Sequence, residues 1–405
     1  MKVIYHHRTR GKGAEGAHIM GVVTAFREMG HEVSIISMAG ANPEVNNRQA
    51  IEKKASKKEQ SFISRSVYRL TELTKYMPEF LFECFEVLYN FIAYFRLRKH
   101  IGIQSPNFIY ERYSLFMFAG VLIARRLSIP IIIEINDSAT VERVRPLFLQ
   151  KLAKKIESWV VSNCDGIVFI SENFRKTIVS NYKNVAHGVI CPNAVNSREF
   201  YPVEDRSAVI RKSLGLEGRV VCGYVGAFVY WHGIDKFINV LAPKLKAHPN
   251  LALLLIGDGD TYGKIKEIIM THGVQDQVVM TGRVPHDEVR SYIGAMDYGI
   301  LPDSNEYGSP MKLFEMMAVG VPLVSPSFEP IIEVVDDDET GWLFPPKKMT
   351  DAVKKVLELS DDLESIYRVG NRSSEYILEK RQWKNNVEIV LTIPKINKLI
   401  TEENS

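Results

Sequence analysis

The sequence predicts an α/β protein with two Rossmann-like parallel-sheet domains facing a central cleft. Three observations carry this. The 405 residues exceed one ordinary core and suit two domains of roughly 150–200 residues each. Short apolar runs rich in β-branched residues alternate with amphipathic helical segments, as buried parallel strands covered by helices do. The alternation also restarts after "NAVNSREFYPVED" (193–205), which reads as an interdomain linker.

Taken in order, the first half offers strands at 3–5, 32–37, 108–111, 130–135 and 166–171, with helices over 14–29 and 139–162. The second half offers strands at 220–226, 251–257, 278–282, 298–302, 322–325 and 342–344, with helices over 234–247, 262–271 and 351–359. This gives a first domain over 1–200 and a second over 201–378. One segment breaks the alternation. Residues 42–61 are polar and Lys/Glu-rich, as a loop is, and "VYRLTELTKYMPEFLFECFEVLYNFIAYFRLRKH" follows as an aromatic helical insertion over about 60–105. Between 48 and 75 eight Lys/Arg face three Asp/Glu. Two readings stand: an extra helical pair with a solvated charge run, or a basic-aromatic surface over 48–100 that rests on an anionic membrane or grips a lipid-linked acceptor.

Composition narrows the function. With 46% hydrophobic and 24% charged residues the chain is globular, and a net charge of +3 is too small to argue for nucleic acid by itself, so no nucleic-acid partner is expected. Cys84, Cys164, Cys191 and Cys222 form no C-x-x-C pair, so neither a zinc site nor a disulfide framework is expected, and a reducing compartment fits. "MKVIYHHRTR" lacks the apolar core of a signal peptide. The most apolar stretch, 81–97, is interrupted by Glu83, Glu86 and Arg96 and falls short of a membrane span. A cytoplasmic location follows, with the cytoplasmic membrane face as its extension.

Two motifs point elsewhere. "GKGAEG" (11–16) spells G-x-G-x-x-G, but the next strand, "HEVSIIS", ends without the carboxylate that a dinucleotide ribose needs, so the nicotinamide reading is disfavoured. "GDGD" (257–260) contains an Asp-x-Asp, yet it follows the buried run "LALLLI", where Asp258 or Asp260 is expected as a helix cap and no metal site is expected. His6 and His7 are adjacent on a strand, point to opposite faces and do not chelate together.

The chemistry concentrates at "NEYGSPMKLFEMMAVGVP" (305–322). Ser309 and Pro310 read as the cap and first residue of a helix. Lys312 then places a cation at the positive end of the helix dipole, where it is unfavourable unless an anion sits there too. The free backbone N–H groups at this helix start, around Ser309 and Met311, the dipole and Lys312 together suit a diphosphate. Pro310 itself lacks an N–H and contributes only its fixed backbone angle. Glu315 lies three residues past Lys312 on nearly the same face, positioned to accept from two ribose hydroxyls. A second glycine turn, "YVGAFVYWHGID", offers Gly226 and Ala227 for close approach of backbone to phosphate and His232 as a donor. The competing reading is a solvent-facing Lys312–Glu315 pair with His232 packing at a helix start.

These fragments, with "GAEGAHIMGVVTAFREMGHEVSIIS", "FIYERYSLFMFAGVLIARRLSIPIIIEIND", "CDGIVFISENFRKTI", "VICPNAVNSREF", "VVMTGRVPHDEV", "MDYGILP" and "TGWLFPP", resemble in order the family-4 retaining glycosyltransferases of the GT-B fold, group 1 type. The resemblance implies metal-independent transfer of a sugar from a nucleotide-sugar donor (a UDP- or GDP-sugar) to the hydroxyl of a glycan or lipid-linked acceptor, in polysaccharide or glycolipid synthesis. It places the donor on the second domain and the acceptor on the first. Residues 379–405 are expected to return to the first domain as terminal helices. Glu315 matches the ribose-holding second Glu of the family's Glu-x7-Glu motif. The first Glu of that motif falls at Tyr307, with Glu306 one residue off, leaving sugar contact open among Glu306, Tyr307 and the Gly308 backbone. The Arg and Lys that clamp the diphosphate fall at Ala227 and His232, which puts more weight on His232, Lys312 and the helix dipole. Gly16 matches the glycine loop beneath the sugar, and Arg283 and Val284 the stretch meeting the base. Asn136 matches a histidine that borders the sugar. A nucleotide-sugar 2-epimerase and a non-catalytic sugar-nucleotide binder share the architecture and stand as alternatives.

Overall fold

The computed structural model describes residues 1–38, 40–45, 79–141, 147–203 and 208–403. The basic run at 48–75 and the start of the expected insertion up to residue 78 lie outside the described residues. The chain divides into two compact units, Met1–Cys191 with Trp383–Ser405, and Pro192–Gln382.

The first unit runs β1 (Lys2–His7), α1 (Gly13–Glu28), β2 (Glu32–Ile36), α2 (Glu79–Gln104), β3 (Phe108–Arg112), α3 (Ala119–Leu127), β4 (Ile131–Ile135), α4 (Gln150–Asn163), β5 (Gly166–Phe169), α5 (Glu172–Asn181) and β6 (Gly188–Ile190). Its sheet is parallel in the order β2-β1-β3-β4-β5-β6. Strands such as Ile131–Ile135 are buried at every residue because helices cover both faces. Right-handed crossovers put α1 on one face and α2, α3 and α4 on the other, where α2 packs on α3 and α3 on α4.

The second unit runs α6 (Ala208–Ser213), β7 (Val220–Val225), α7 (Ile234–Leu245), β8 (Leu251–Ile256), α8 (Tyr262–His272), β9 (Val278–Gly282), α9 (Val289–Gly294), β10 (Tyr298–Ile300), α10 (Met311–Ala318), β11 (Leu323–Pro326), α11 (Glu329–Ile332), β12 (Trp342–Phe344), α12 (Met349–Leu359) and α13 (Leu363–Lys380). Its parallel sheet has the order β12-β11-β10-β7-β8-β9. Two apolar layers enclose it: Phe237, Leu241 and Trp342 on one side, Leu254, Phe314 and Met316 on the other. The chain then returns to the first unit as α14 (Trp383–Leu391) and α15 (Pro394–Glu403), α14 packing on α1.

Two elements differ from the sequence reading. Of the helix expected over 139–162, residues 142–146 lie outside the described residues and the described helix is Gln150–Asn163, while at the expected start side chains capture the amides. Asp137 Oδ1 accepts from Ser138 N at 2.9 Å, Ser138 Oγ from Thr140 N at 3.0 Å, and Glu157 from Ala139 N at 3.0 Å. Strand β6 has no counterpart in the sequence reading: three half-buried residues at a sheet edge show no apolar run. Among the described residues no helix is long and apolar enough to cross a membrane, and the four cysteines are free thiols.

Candidate functional site

Topology marks the site in each unit. In the second, the chain leaves β7 for β8 and β9 on one side and fills β10, β11 and β12 on the other, so the strand order reverses between β7 and β10. In open parallel sheets ligands bind outside the carboxyl ends at such a reversal. Beyond β7 comes the Gly226–Ala227 turn, and after β10 the 301–310 loop that leads into α10.

Gly226 has φ +146°, a left-handed conformation that disfavours other residues, and a Cβ there would lie 2.6 Å from Lys312 Nζ. The turn and the lysine are thus brought together. Tyr224, two residues earlier on β7, is the hub. Lys312 Nζ donates to its hydroxyl at 3.2 Å and lies 4.6 Å above its ring, while the hydroxyl donates to Ala227 O at 3.0 Å. His232, in a single 3-10 turn at Tyr230–His232, lies with Nδ1 2.8 Å from Ala227 O and 3.2 Å from the Tyr224 hydroxyl. Tyr224 escaped the sequence reading because it reads as one more core aromatic of a strand.

The ligand-free charge state follows from this packing. Burial pushes the Lys312 ammonium down to about 7, against the pull of Glu315. Burial and the Lys312 charge push His232 down to about 4. A neutral His232 whose Nδ1–H serves the Ala227 carbonyl has a bare Nε2, so it donates to a phosphate only after taking up a proton. Burial raises the Glu315 carboxyl to about 7, with His286 and Lys312 opposing the rise. Lys312 and Glu315 are not joined as an ion pair; the ammonium turns to Tyr224 instead. His286, also missed by the sequence reading, pairs with Glu199 at 3.7 Å, and that carboxylate raises its pKa.

Ser309 corrects an expectation. Helix α10 starts at Met311 with Pro310 as its N-cap, at ψ 118°, and Ser309 caps nothing. The buried Ser309 hydroxyl accepts from Asn193 N at 2.9 Å, and the Asn193 amide donates to Ser309 O. Ser309 therefore anchors the entry to α10, and Lys312 is the second residue of the helix. Before it, Asn305 Oδ1 accepts from Gly308 N, which curls the exposed Glu306 and half-buried Tyr307 into one turn. Arg283 follows β9 and lies exposed, its Nε 3.8 Å from Asp258, with Val284 half-buried beside it. The GDGD turn also departs from expectation: Asp258 Oδ1 accepts from its neighbour Gly259 N, and Thr261, not an aspartate, occupies the N-cap of α8. Gly257 is needed because a Cβ there would lie 1.9 Å from Gly226 O, so one glycine turn packs on the other.

In the first unit the reversal falls between β1 and β3. Here Asn136, just past β4, donates through Nδ2 to Glu134 Oε1 at 2.5 Å. The same buried carboxylate receives Arg112 Nη1 at 2.9 Å and the Tyr110 hydroxyl at 2.9 Å, and His18 Nε2 lies 2.6 Å away. Burial alone would raise Glu134, but the His18 and Arg112 charges and the hydrogen bonds from His18 and Asn136 hold it far below the usual carboxylate range. An ionised carboxylate only accepts, so the Asn136 amide must face it with NH2 and is left to present its carbonyl oxygen elsewhere. Gly16 lies in the first turn of α1, where a Cβ would sit 2.7 Å from Gly11 O; its bare face is occupied by its own loop. His6 pairs with Glu111 at 2.6 Å and His7 with Thr9 at 3.2 Å, both histidines buried.

Comparisons with known proteins identify the family and the fold. Residues 16–199 match the family model for Glycosyltransferase Family 4, and residues 206–376 that for Glycosyl transferases group 1. The chain is 23% identical to an uncharacterized glycosyltransferase of Methanocaldococcus jannaschii over 97% of each chain. It is also 23% identical to the alpha-D-kanosaminyltransferase of Streptomyces kanamyceticus, over 65% of this chain and 70% of that one. Among solved structures, a glycosyltransferase from Rickettsia africae matches at TM-score 0.72 and 14% identity, covering 97% of this chain and 98% of that one. Anabaena HepE bound to UDP matches at TM-score 0.69 and 13% identity, over 100% and 99%. Two parallel six-stranded sheets, a glycine turn set against a helix-borne lysine, and both family models in sequence order lead to one conclusion: the chain belongs to the family-4, group 1 glycosyltransferases of the GT-B fold.

Proposed function

We propose that this glycosyltransferase moves a sugar from a nucleotide-sugar donor to an acceptor hydroxyl with retention of anomeric configuration and without a metal ion. The observation that carries the reading is the Lys312 ammonium set against the Gly226 turn beside the amino end of α10. There the diphosphate meets Lys312, the backbone of Gly226 and Ala227, and the α10 dipole, which take the neutralising role that other transferases give to a metal. Met311 and Pro310 border it, Glu315 accepts from the ribose hydroxyls, and Arg283 and Val284 flank the base. Glu306, Tyr307 and Gly308, with Gly16 and Asn136 of the first unit, are proposed for the sugar.

As the bond from the anomeric carbon to the diphosphate oxygen breaks, negative charge grows on the diphosphate and positive charge on the sugar. Lys312 and a newly protonated His232 stabilise the former. The acceptor oxygen bonds to the anomeric carbon on the same face, and its proton passes to the departing phosphate oxygen. The relatives that act on lipids, such as the alpha-monoglucosyldiacylglycerol synthase of Streptococcus pneumoniae (23% identical), support a glycan or lipid-linked acceptor and a place at the cytoplasmic membrane face.

A thermal-shift panel of UDP, GDP and their glucose and mannose conjugates tests donor binding directly, since a ligand that binds only the folded state raises its melting point. Nucleoside diphosphate released only with an acceptor present, and undiminished by EDTA, is the expected result. Binding without turnover identifies a non-catalytic binder instead, and sugar isomerisation without acceptor an epimerase.

A further inference from the structure

The first unit carries an anomaly that the donor site does not use. Helix α2 buries a narrow edge, Asn90, Ala93, Leu97 and Ile101, and turns large apolar side chains to solvent. Leu81, Phe85, Leu88, Ile92 and Phe95 follow at spacings of four, three, four and three, one face of a helix, with Phe91 beside them. Phe91 and Phe95 are each 66% exposed. The helices packed alongside also expose apolar side chains, Leu122 and Leu127 on α3 and Leu152 and Trp159 on α4. An exposed apolar helix face of this kind marks an interaction site.

Charge identifies the partner. The exposed ions on these three helices include Arg98, Lys99, Arg125, Arg126, Lys154 and Lys155. Each acid whose side chain is described there turns inward to a partner. Glu83 accepts from Phe148 N and Leu149 N at 2.8 and 2.6 Å, Glu86 pairs with Arg8 at 2.6 Å, and buried Glu157 accepts from Ser138 and Ala139. Among the described residues the layer therefore offers apolar and cationic groups with no outward carboxylate. A second copy of the same surface would set cation against cation. An anionic bilayer supplies both the apolar interior and the counter-charge.

We propose that the α2–α3–α4 face of the first unit is a docking surface for anionic lipid bilayers. Phe85, Phe91 and Phe95 enter the acyl boundary, and the lysines and arginines bind lipid phosphates. The inference goes beyond the donor-site reading and stands without it. It is tested by co-sedimenting the full chain with vesicles of phosphatidylcholine alone and of phosphatidylcholine mixed with phosphatidylglycerol. The chain is expected to pellet with the mixed vesicles, to be released by high salt, and to stay in solution with the neutral ones. Lys154→Gln with Lys155→Gln should weaken binding about 25-fold, at about fivefold per cation. Phe91→Asp with Phe95→Asp should weaken it at least about tenfold, while Ile389→Asp on α14, at the opposite face of the sheet, leaves it unchanged. Circular dichroism melting confirms that each variant folds; if the phenylalanine pair does not, the exposed lysine pair decides. No binding to either vesicle, equal binding to both, or a concentration-dependent dimer dissociated by the Phe91→Asp and Phe95→Asp pair would overturn the proposal.

Discussion

The two units share a plan, six parallel strands with one reversal of strand order, yet they treat charge in opposite ways at that reversal. In the first, Glu134 is buried and ionised, with its oxygens met by His18, Arg112, Tyr110 and Asn136. In the second, Lys312 and Glu315 are half-buried, unpaired with each other and driven toward neutrality, while His232 is already neutral. One network is complete without a ligand. The other is electrostatically unfinished, and the diphosphate and ribose proposed above would finish it. A fully satisfied buried charge stabilises a unit; an unsatisfied one is tolerated where a substrate supplies the missing partner.

The largest effect that would break this contrast is in the first unit. Glu134→Ala leaves Arg112 and His18 without their carboxylate, and urea denaturation is expected to show a loss of about 3–5 kcal/mol. A loss below about 1 kcal/mol would mean that the network is ornamental. Next comes Lys312→Ala. Its catalytic efficiency should fall about 100- to 1000-fold, while the ligand-free melting temperature stays level or rises because a desolvated cation is gone. Near-normal transfer by the folded variant would remove Lys312 from the mechanism.

The pH dependence of UDP affinity sharpens the comparison further. Bound diphosphate favours protonated Lys312, so with a free-state pKa of about 7 its contribution is present below that pH and lost above it. Ribose hydroxyls favour ionised Glu315, so with a free-state pKa of about 7 its contribution is present above that pH and lost below it. Affinity measured by calorimetry should therefore peak near neutrality and fall on either side by at most about tenfold per pH unit. Lys312→Met should abolish the alkaline limb and Glu315→Gln the acid limb; unchanged limbs would dissociate these groups from binding. The smallest effect is Ser309→Ala, expected to cost about 1 kcal/mol of stability through the lost Asn193 bond, with turnover nearly intact. A large loss of turnover with unchanged stability would instead place Ser309 on the phosphate.

The same contrast explains what the sequence made legible. Continuous β-branched runs such as "IIIEI" announce strands buried on both faces, and a glycine turn after such a strand announces a ligand end. Lys312 was visible because it contradicts the helix dipole. The Glu134 network was not, since its partners stand at positions 18, 110, 112 and 136 and meet only through the sheet register. Ser309 was misread because Ser-Pro before an apolar run looks like a cap; Pro310 at extended ψ takes that place, and the serine's partner, Asn193, is 116 positions away. Tyr224 was masked by its own strand, where its outline is that of any core residue.

The return of α14 to α1 has a consequence for biosynthesis. The second unit is one uninterrupted stretch, Pro192–Gln382, and has its whole sequence in hand once Gln382 has left the ribosome. The first unit does not. Trp383, whose ring packs 4.7 Å from that of His18, is added hundreds of codons after its partner. Until it arrives, one side of α1 stays uncovered. The first sheet to be translated is therefore the last to be finished, and a nascent chain arrested before residue 383 should engage chaperones through its opening domain.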